Sequence, residues 1–395
     1  MTVELQHPMK ADATPEEIAR GRFTSGIRSL ILNDLAGDMK DAYDRRAAPA
    51  FRKEHGRDPE TSREAHQALR GDPAFNIYSA MRVQAQKMVW ASVADSVERE
   101  SDRLAAEAAK ASGEPGSLTL NPDLDVPKNV HAIDVHLMPG SYTRGEDSLE
   151  AGAVYDRGLA VFSMGLMGAN LDDIGLSMSQ YIKQRYPDFA PKRILDTGCT
   201  IGHNTLPWKQ AYPEADVVAI DAAPGPLTYG SARAKMQGQA VDFQQMCADD
   251  LAFEDESFDV VWSSMFLHEL SKKQRAKAFE EAYRVLKPGG LVVHMELPPN
   301  EQMPAFEGFY LDWDSYYNNE PYYKGYRDEV PRELCERAGF GPDDFFEFVV
   351  PSVGIYGKDA VRDAASGDRD EGVGQQTTGR LAEGVMWYGY GAFKK

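Results

Sequence analysis

Cysteine is scarce in this chain, basic charge is in deficit, and long apolar runs are missing. Cys199, Cys247 and Cys335 stand far apart in 395 residues. An odd, unclustered set offers neither a disulfide framework nor the paired spacing of a zinc site, so all three read as free thiols and no metal is expected. Lysine and arginine number 43 against 62 aspartates and glutamates, a formal charge of −19. Such a surface repels a phosphate backbone, which counts against nucleic acid as a partner. Nowhere do about eighteen apolar residues run together, and Met1 to Lys10 lacks an apolar signal core, so the expectation is a cytoplasmic chain with no membrane partner.

Glycine is placed where it matters most between Arg193 and His203. Arg193-Ile194-Leu195-Asp196-Thr197-Gly198-Cys199-Thr200-Ile201-Gly202-His203 reads as a buried strand, a glycine-punctuated turn and the start of a helix. Glycine permits positive φ and close approach of backbone to a ligand, so Gly198 and Gly202 bracket a loop suited to a flat or extended cofactor. The pattern is D-x-G-x-x-x-G rather than the G-x-G-x-x-G of a dinucleotide fold, which weighs against a dehydrogenase. Downstream, Asp216 to Asp221 is an apolar run ending in an acid, and Val241 to Asp249 is a third strand with an acid just past its end. Ser257 to Ser264 is a fourth strand, followed by Met265-Phe266-Leu267-His268-Glu269, and Pro288-Gly289-Gly290 leads into a fifth, Leu291 to Leu297. The βα alternation puts Asp196, Asp221 and Asp249 outside the carboxyl ends of parallel strands, where open α/β sheets bind ligands. Each acid taken alone also reads as a turn cap or a solvated strand end.

Taken together these segments resemble the class I S-adenosylmethionine-dependent methyltransferases, whose first motif is usually D-x-G-x-G-x-G; Thr200 stands where the middle glycine is common. The nearest flavour is the ubiquinone/menaquinone C-methyltransferase-like group of small-molecule enzymes, and the likeness covers about Leu171 to Lys395. It implies an α/β fold with a seven-stranded Rossmann-like sheet and S-adenosyl-L-methionine as cofactor. Asp196, Gly198, Cys199, Thr200 and Gly202 would form the cofactor loop. Asp221 and Ala222 would lie at the ribose, Ala248 and Asp249 at the adenine, and Met265 just past the fourth strand. Cys199 in this loop reads as a small residue fitting a tight turn rather than as a nucleophile.

The resemblance leaves the first third of the chain unaccounted for, and two domains are expected, residues 1–150 helical and 151–395 carrying the sheet. Thr14-Pro15-Glu16-Glu17 starts a helix running to about Arg46. A second helix begins after Asp72-Pro73, with Phe75, Tyr78, Met81, Ala85, Met88, Ser92 and Val93 at three-or-four spacing. That stripe reads as core or a homodimer seam, with an acceptor-pocket wall as the alternative. Gly113-Glu114-Pro115-Gly116 ends this helix. Residues 121–160 read as a bridging stretch in which Asp134 and His136 would share a face if extended; no third metal ligand accompanies them. Tyr142, Arg144 and Tyr155 are read as a lid over the cofactor. After the fifth strand, nine aromatics fall within 21 residues from Phe306 to Tyr326. Tyr310 and Trp313 among them are expected to contact the acceptor, with packing or a dimer surface as the other reading. Val330 to Gly339 reads as a helix, Phe345 to Val350 as the sixth strand, Val385 to Lys394 as the seventh, and Lys358 to Gly384 as a mobile loop.

Methyl transfer needs the acceptor held in line with the methyl group, and an oxygen acceptor usually needs a base as well. His268, just past the fourth strand, is the foremost base candidate, with Glu296 and His294 behind it, while Glu269 would point away on a helix. The expected activity is O- or C-methylation of a small-molecule acceptor. S-methylation of a thiol or thioether and a non-catalytic cofactor-binding scaffold remain as alternatives.

Overall fold

A computed structural model describes residues 4–111, 115–145, 148–367 and 384–395. Helix α1, Pro15–Leu30, opens with a full capping box, Thr14 receiving the Glu17 N–H while Glu17 returns to the Thr14 N–H. It continues without a break through a π turn at Ile31–Leu35, α2 (Ala36–Ala42), a second π turn at Tyr43–Ala47 and α3 (Ala48–His55). The helical run therefore extends past Arg46 and closes on Gly56 in the left-handed region. After α4 (Ser62–Leu69) comes α5, Pro73–Lys110, capped by Asp72 and buried along one face from Phe75 to Val97. Beyond Val97 only Leu104 is buried, as the charged sequence there requires. Of the expected stop at 113–116, residues 113 and 114 lie outside the described set.

Strand β1 (Leu118–Thr119) and the short α6 (Lys128–His131) lead to two 3-10 turns, Val135–Leu137 and Ser141–Thr143, and then α7 (Glu150–Phe162). The bridging stretch is not extended but forms turns and a helix, with Asp134 turning back to accept the Gly140 N–H at 2.9 Å. The Rossmann-like unit follows: α8 (Asp173–Arg185), β2 (Arg193–Thr197), α9 (Leu206–Ala211), β3 (Asp216–Asp221), α10 (Pro224–Met236), β4 (Asp242–Gln245), β5 (Phe258–Ser264), α11 (Lys272–Val285) and β6 (Leu286–Glu296). Then come α12 (Ala305–Tyr317), α13 (Tyr323–Arg327), α14 (Pro331–Ala338), β7 (Phe345–Pro351), α15 (Val353–Ser366) and β8 (Met386–Phe393). Residues 358–366 are therefore helical rather than loop, and 368–383 lie outside the described set.

The sheet has eight strands in the order β1-β4-β3-β2-β5-β6-β8-β7, one more than expected because β1 adds a two-residue edge beside β4. Strands β1 to β6 pair in parallel, and β8 runs antiparallel between β6 and β7. Parallel strands covered on both faces must be apolar in both directions. Ile194, Val260 and Trp262 accordingly pack under α8 to α10 and α15, while Leu195, Val261 and Val292 pack under α11 and α14. The amino-terminal helices form another layer: Phe75 and Tyr78 share a core with Phe306, Phe309, Tyr310 and Trp313 of α12. Val89, Trp90 and Val93 join α7 and α10 in a neighbouring cluster.

Candidate active site

A cavity of about 600 Å³ opens at the carboxyl ends of β2 to β6 and is roofed by the amino-terminal helices. Its floor is the loop after β2. Gly198 and Gly202 have φ of +72° and +68°, and Thr200 between them has φ of +51°. Thr200 thus adopts the left-handed conformation that a glycine would take at no steric cost. Its N–H donates to Asp221 Oδ2 at 2.9 Å, while Asp221 Oδ1 accepts the Ala223 N–H at 2.9 Å. Burial pushes the Asp221 carboxyl up to about 6, against the pull of those backbone donors. Burial raises Asp196 further, to about 8, with its Oδ2 accepting the Thr205 hydroxyl. Asp196 is therefore a neutral acid bracing the loop at neutral pH. Burial likewise raises the Cys199 thiol, helped by the charges of Asp221 and Asp196, so it carries no thiolate for nucleophilic attack.

Asp196, Gly198, Cys199, Thr200, Asp221, Ala222, Ala248, Asp249 and Met265 all face this one cavity. Gly202 lies behind the loop instead; a Cβ there would come within 2.7 Å of the Phe243 ring. Tyr142 and Tyr155 face the cavity, their ring centres 6.0 Å apart. Tyr310 and Trp313 do not. Both are buried in the interhelical core, where Trp313 Nε1 donates to Ser79 Oγ at 2.9 Å and Arg82 lies 3.9 Å over the indole. The aromatic density after β6 is spent mainly on joining α12 to α4 and α5, although Tyr323 does reach the cavity.

His268 is buried on the cavity wall, in the 3-10 turn Leu267–Glu269 after β5. Its Nδ1 lies 2.7 Å from Glu296 Oε2, its ring stands edge-on to Tyr323, and its Nε2 has no partner among the described residues. Burial opposes protonation of this imidazole, but the charge and hydrogen bond of Glu296 outweigh it and raise its pKa. Glu296 Oε1 accepts the N–H groups of Phe266 at 2.8 Å and Leu267 at 2.6 Å. Both oxygens of Glu296 are thus engaged, one by the turn that carries His268 and the other by its imidazole. His294 lies apart from the cavity, donating to or accepting from Ser263 Oγ at 2.7 Å, and burial depresses it to about 3. It is a neutral core histidine.

Two features escaped the sequence reading. Glu269 does not point away: the 3-10 turn brings it into the cavity, where Oε1 accepts the Tyr142 hydroxyl at 2.8 Å and lies 3.0 Å from His136 Nε2. His136 Nδ1 is 2.9 Å from Glu320 Oε1, so this imidazole pairs with two carboxylates and not with Asp134. Burial lowers its pKa, but Glu320 and Glu269 together lift it well above the ordinary value. His136 sits at φ 56°, ψ 20°, with its carbonyl accepting from Trp90 Nε1 at 2.8 Å and Gln86 Nε2 at 3.0 Å. No spacing rule links residues 136, 269 and 320. Their only sequence signal is a titratable residue in each of three segments flanking the cofactor motifs. Among the described residues, no group of three or more His, Cys, Asp or Glu side chains is arranged to hold a metal ion.

The parallel doubly wound sheet, the glycine loop after its first central strand and the acids at the next two strand ends form the arrangement in which open α/β sheets bind ligands outside the carboxyl ends of their strands. Residues 194–290 match the family model described as a methyltransferase domain. The chain is 39% identical over 110 residues to demethylmenaquinone methyltransferase of Thermus thermophilus, covering 28% of this chain and 49% of the relative. It is 33% identical over 115 residues to malonyl-[acyl-carrier protein] O-methyltransferase of Dechloromonas aromatica, covering 29% and 39%. The chain thus spans half or less of the length of these curated relatives. Among solved structures, phosphoethanolamine N-methyltransferase 2 of Haemonchus contortus, in complex with S-adenosyl-L-methionine, superposes at a TM-score of 0.39 with 19% identity, over 60% of this chain and 57% of that one.

Proposed function

We propose that the chain transfers the methyl group of S-adenosylmethionine to a small, mostly apolar molecule through an oxygen or a carbon that must lose a proton. The cavity fits both ligands in chemistry. At one end lie the Asp221 carboxylate, Ala222, Ala248 and Asp249, suited to a ribose diol and an adenine. At the other, Leu32, Leu166, Met167, Leu297, Leu311 and Met386 present apolar surface. Bound S-adenosylmethionine supplies an electrophilic methyl group. The protein contributes placement, exclusion of water and a proton acceptor. The observation that carries the reading is His268, which lines the cavity with its Nδ1 held by Glu296.

The roof supports a covering role for residues 1–150. Leu32 and Asn33 come from the first π turn and Trp90 from α5, so the amino-terminal layer walls the acceptor end. π turns recur at functional sites because they reorient side chains within a helix. A screen of phenols, quinone precursors, carboxylates and thiols with S-adenosylhomocysteine release as readout tests the proposal, and spectroscopy of the product assigns the methylated atom. Turnover on a hydroxyl or acidic-carbon acceptor, lost about 100- to 10,000-fold in His268→Ala, is the expected result. Turnover only on thiols, insensitive to this substitution, would assign S-methylation, and cofactor binding with every acceptor silent would favour a scaffold.

A further inference from the structure

Glu269 has a position that the cofactor motifs do not explain. It lies within electrostatic reach of both Asp221 and His268, raising the carboxyl of the first and favouring the protonated form of the second. Asp221 marks the ribose end of the cavity and His268 the acceptor end, so a methyl group in transit passes between them. Glu269 is the acid facing that interval; Asp196 is protonated and braced by Thr205, and Glu296 is occupied by His268 and two backbone donors. His136 and the Tyr142 hydroxyl occupy Glu269 Oε1, and Oε2 has no hydrogen bond among the described residues. Glu320, on the far side of His136, accepts from Asn318 Nδ2 at 2.6 Å, so two carboxylates flank the one imidazole. A further observation points to a ligand here: Tyr142, Tyr155 and the His268 ring line the same cavity. Aromatic faces beside a carboxylate form a setting that favours a cation.

We propose that Glu269, fixed by His136 and Tyr142, is the counter-charge for the sulfonium, so that the cavity prefers the positively charged cofactor over the neutral thioether product. The proposal rests on the reading that S-adenosylmethionine is the methyl donor. Its consequence is release: once the methyl group has left, the attraction of Glu269 for the spent cofactor goes with it. An affinity difference between charge states of a ligand is a coupling that a single neutralising substitution removes.

Calorimetry on the full chain tests it with three probes: S-adenosylmethionine, sinefungin, which carries an ammonium near the sulfonium position, and S-adenosylhomocysteine. In Glu269→Gln the two cationic ligands are expected to weaken about ten- to thirtyfold and the neutral product by less than about threefold. Equal weakening of all three, or no change, overturns the proposal. If the amide abolishes the thermal unfolding transition, Glu269→Asp serves instead. By keeping the charge but withdrawing it one methylene, it should cut the preference for the cations part-way, and an unaltered preference overturns the proposal. Failure of the unmodified chain to bind S-adenosylhomocysteine at all would instead overturn the cofactor reading.

Discussion

Asp221 holds two backbone N–H groups and still presents a carboxylate to the cavity, so it supports the loop and offers acceptors to a diol at once. Asp221→Ala is expected to weaken S-adenosylmethionine binding by about 1.5–3 kcal/mol, the range for a hydrogen bond to a charged group. Calorimetry measures it, and unchanged affinity would remove the residue from the site. Since burial places this carboxyl near 6, cofactor binding should also weaken as pH falls through that value. His268 works in the same sense. Its pKa lies above the ordinary ~6.5, so the base form grows in with rising pH and turnover on a proton-bearing acceptor should rise along a limb centred above ~6.5. Glu296→Gln removes the charge favouring the imidazolium while retaining an oxygen for the Phe266 and Leu267 N–H groups. That limb should move to lower pH; a limb that stays put in the pH–rate profile would exclude His268 as its source. The same linkage bears on stability: the His268–Glu296 pair contributes fully below the unfolded pKa, and its contribution is lost as pH rises through the raised folded value.

At the scale of elements, helix starts and buried strands were legible because they depend on neighbours in sequence. Thr14 with Glu17, and Asp72 before Pro73, cap the helices they were expected to cap. Strands β2, β3, β5 and β6 appear where apolar runs required them, and β4, Asp242–Gln245, at the third expected strand. The turns at residues 134–143 were not legible, because the backbone at His136 is set by Trp90 and Gln86 on another helix. Glycines reveal how closely the elements approach. A Cβ on Gly198 would lie 2.2 Å from the Phe266 ring, at a φ where side chains are strained. Gly198→Val should therefore abolish cofactor binding by displacing both the loop and the turn that carries His268. Retained binding in a folded variant, by calorimetry, would show that the loop was misassigned. On the far side, a Cβ on Gly158 of α7 would come within 2.3 Å of Trp90 on α5. Gly158→Ala should cost about 1–3 kcal/mol through overpacking, read as a lower midpoint in denaturant.

Across the whole molecule, the amino-terminal layer and the sheet unit are joined by charge as well as by apolar surface. Arg82 of α5 meets Asp314 of α12 at 2.6 Å, with both side chains buried. Breaking a buried pair strands the surviving charge, so Asp314→Ala should destabilise the protein by about 3–5 kcal/mol and loosen the roof of the cavity. Chemical denaturation checks the magnitude, and a cost under about 1 kcal/mol would show the pair to be dispensable. No described helix is long and apolar enough to cross a membrane. The sequence by itself determined the doubly wound core and the cofactor loop, since strand periodicity, glycine spacing and acids at strand ends are local properties that survive in one dimension. Tertiary structure alone decided what surrounds the loop. It turned Tyr310 and Trp313 into core, made Glu296 a support for His268, and joined His136, Glu269 and Glu320 across more than 180 residues of chain. Such contacts depend on how layers pack, and burial and pairing then set the charge of each group, so the chemistry of the acceptor side follows from packing rather than from spacing.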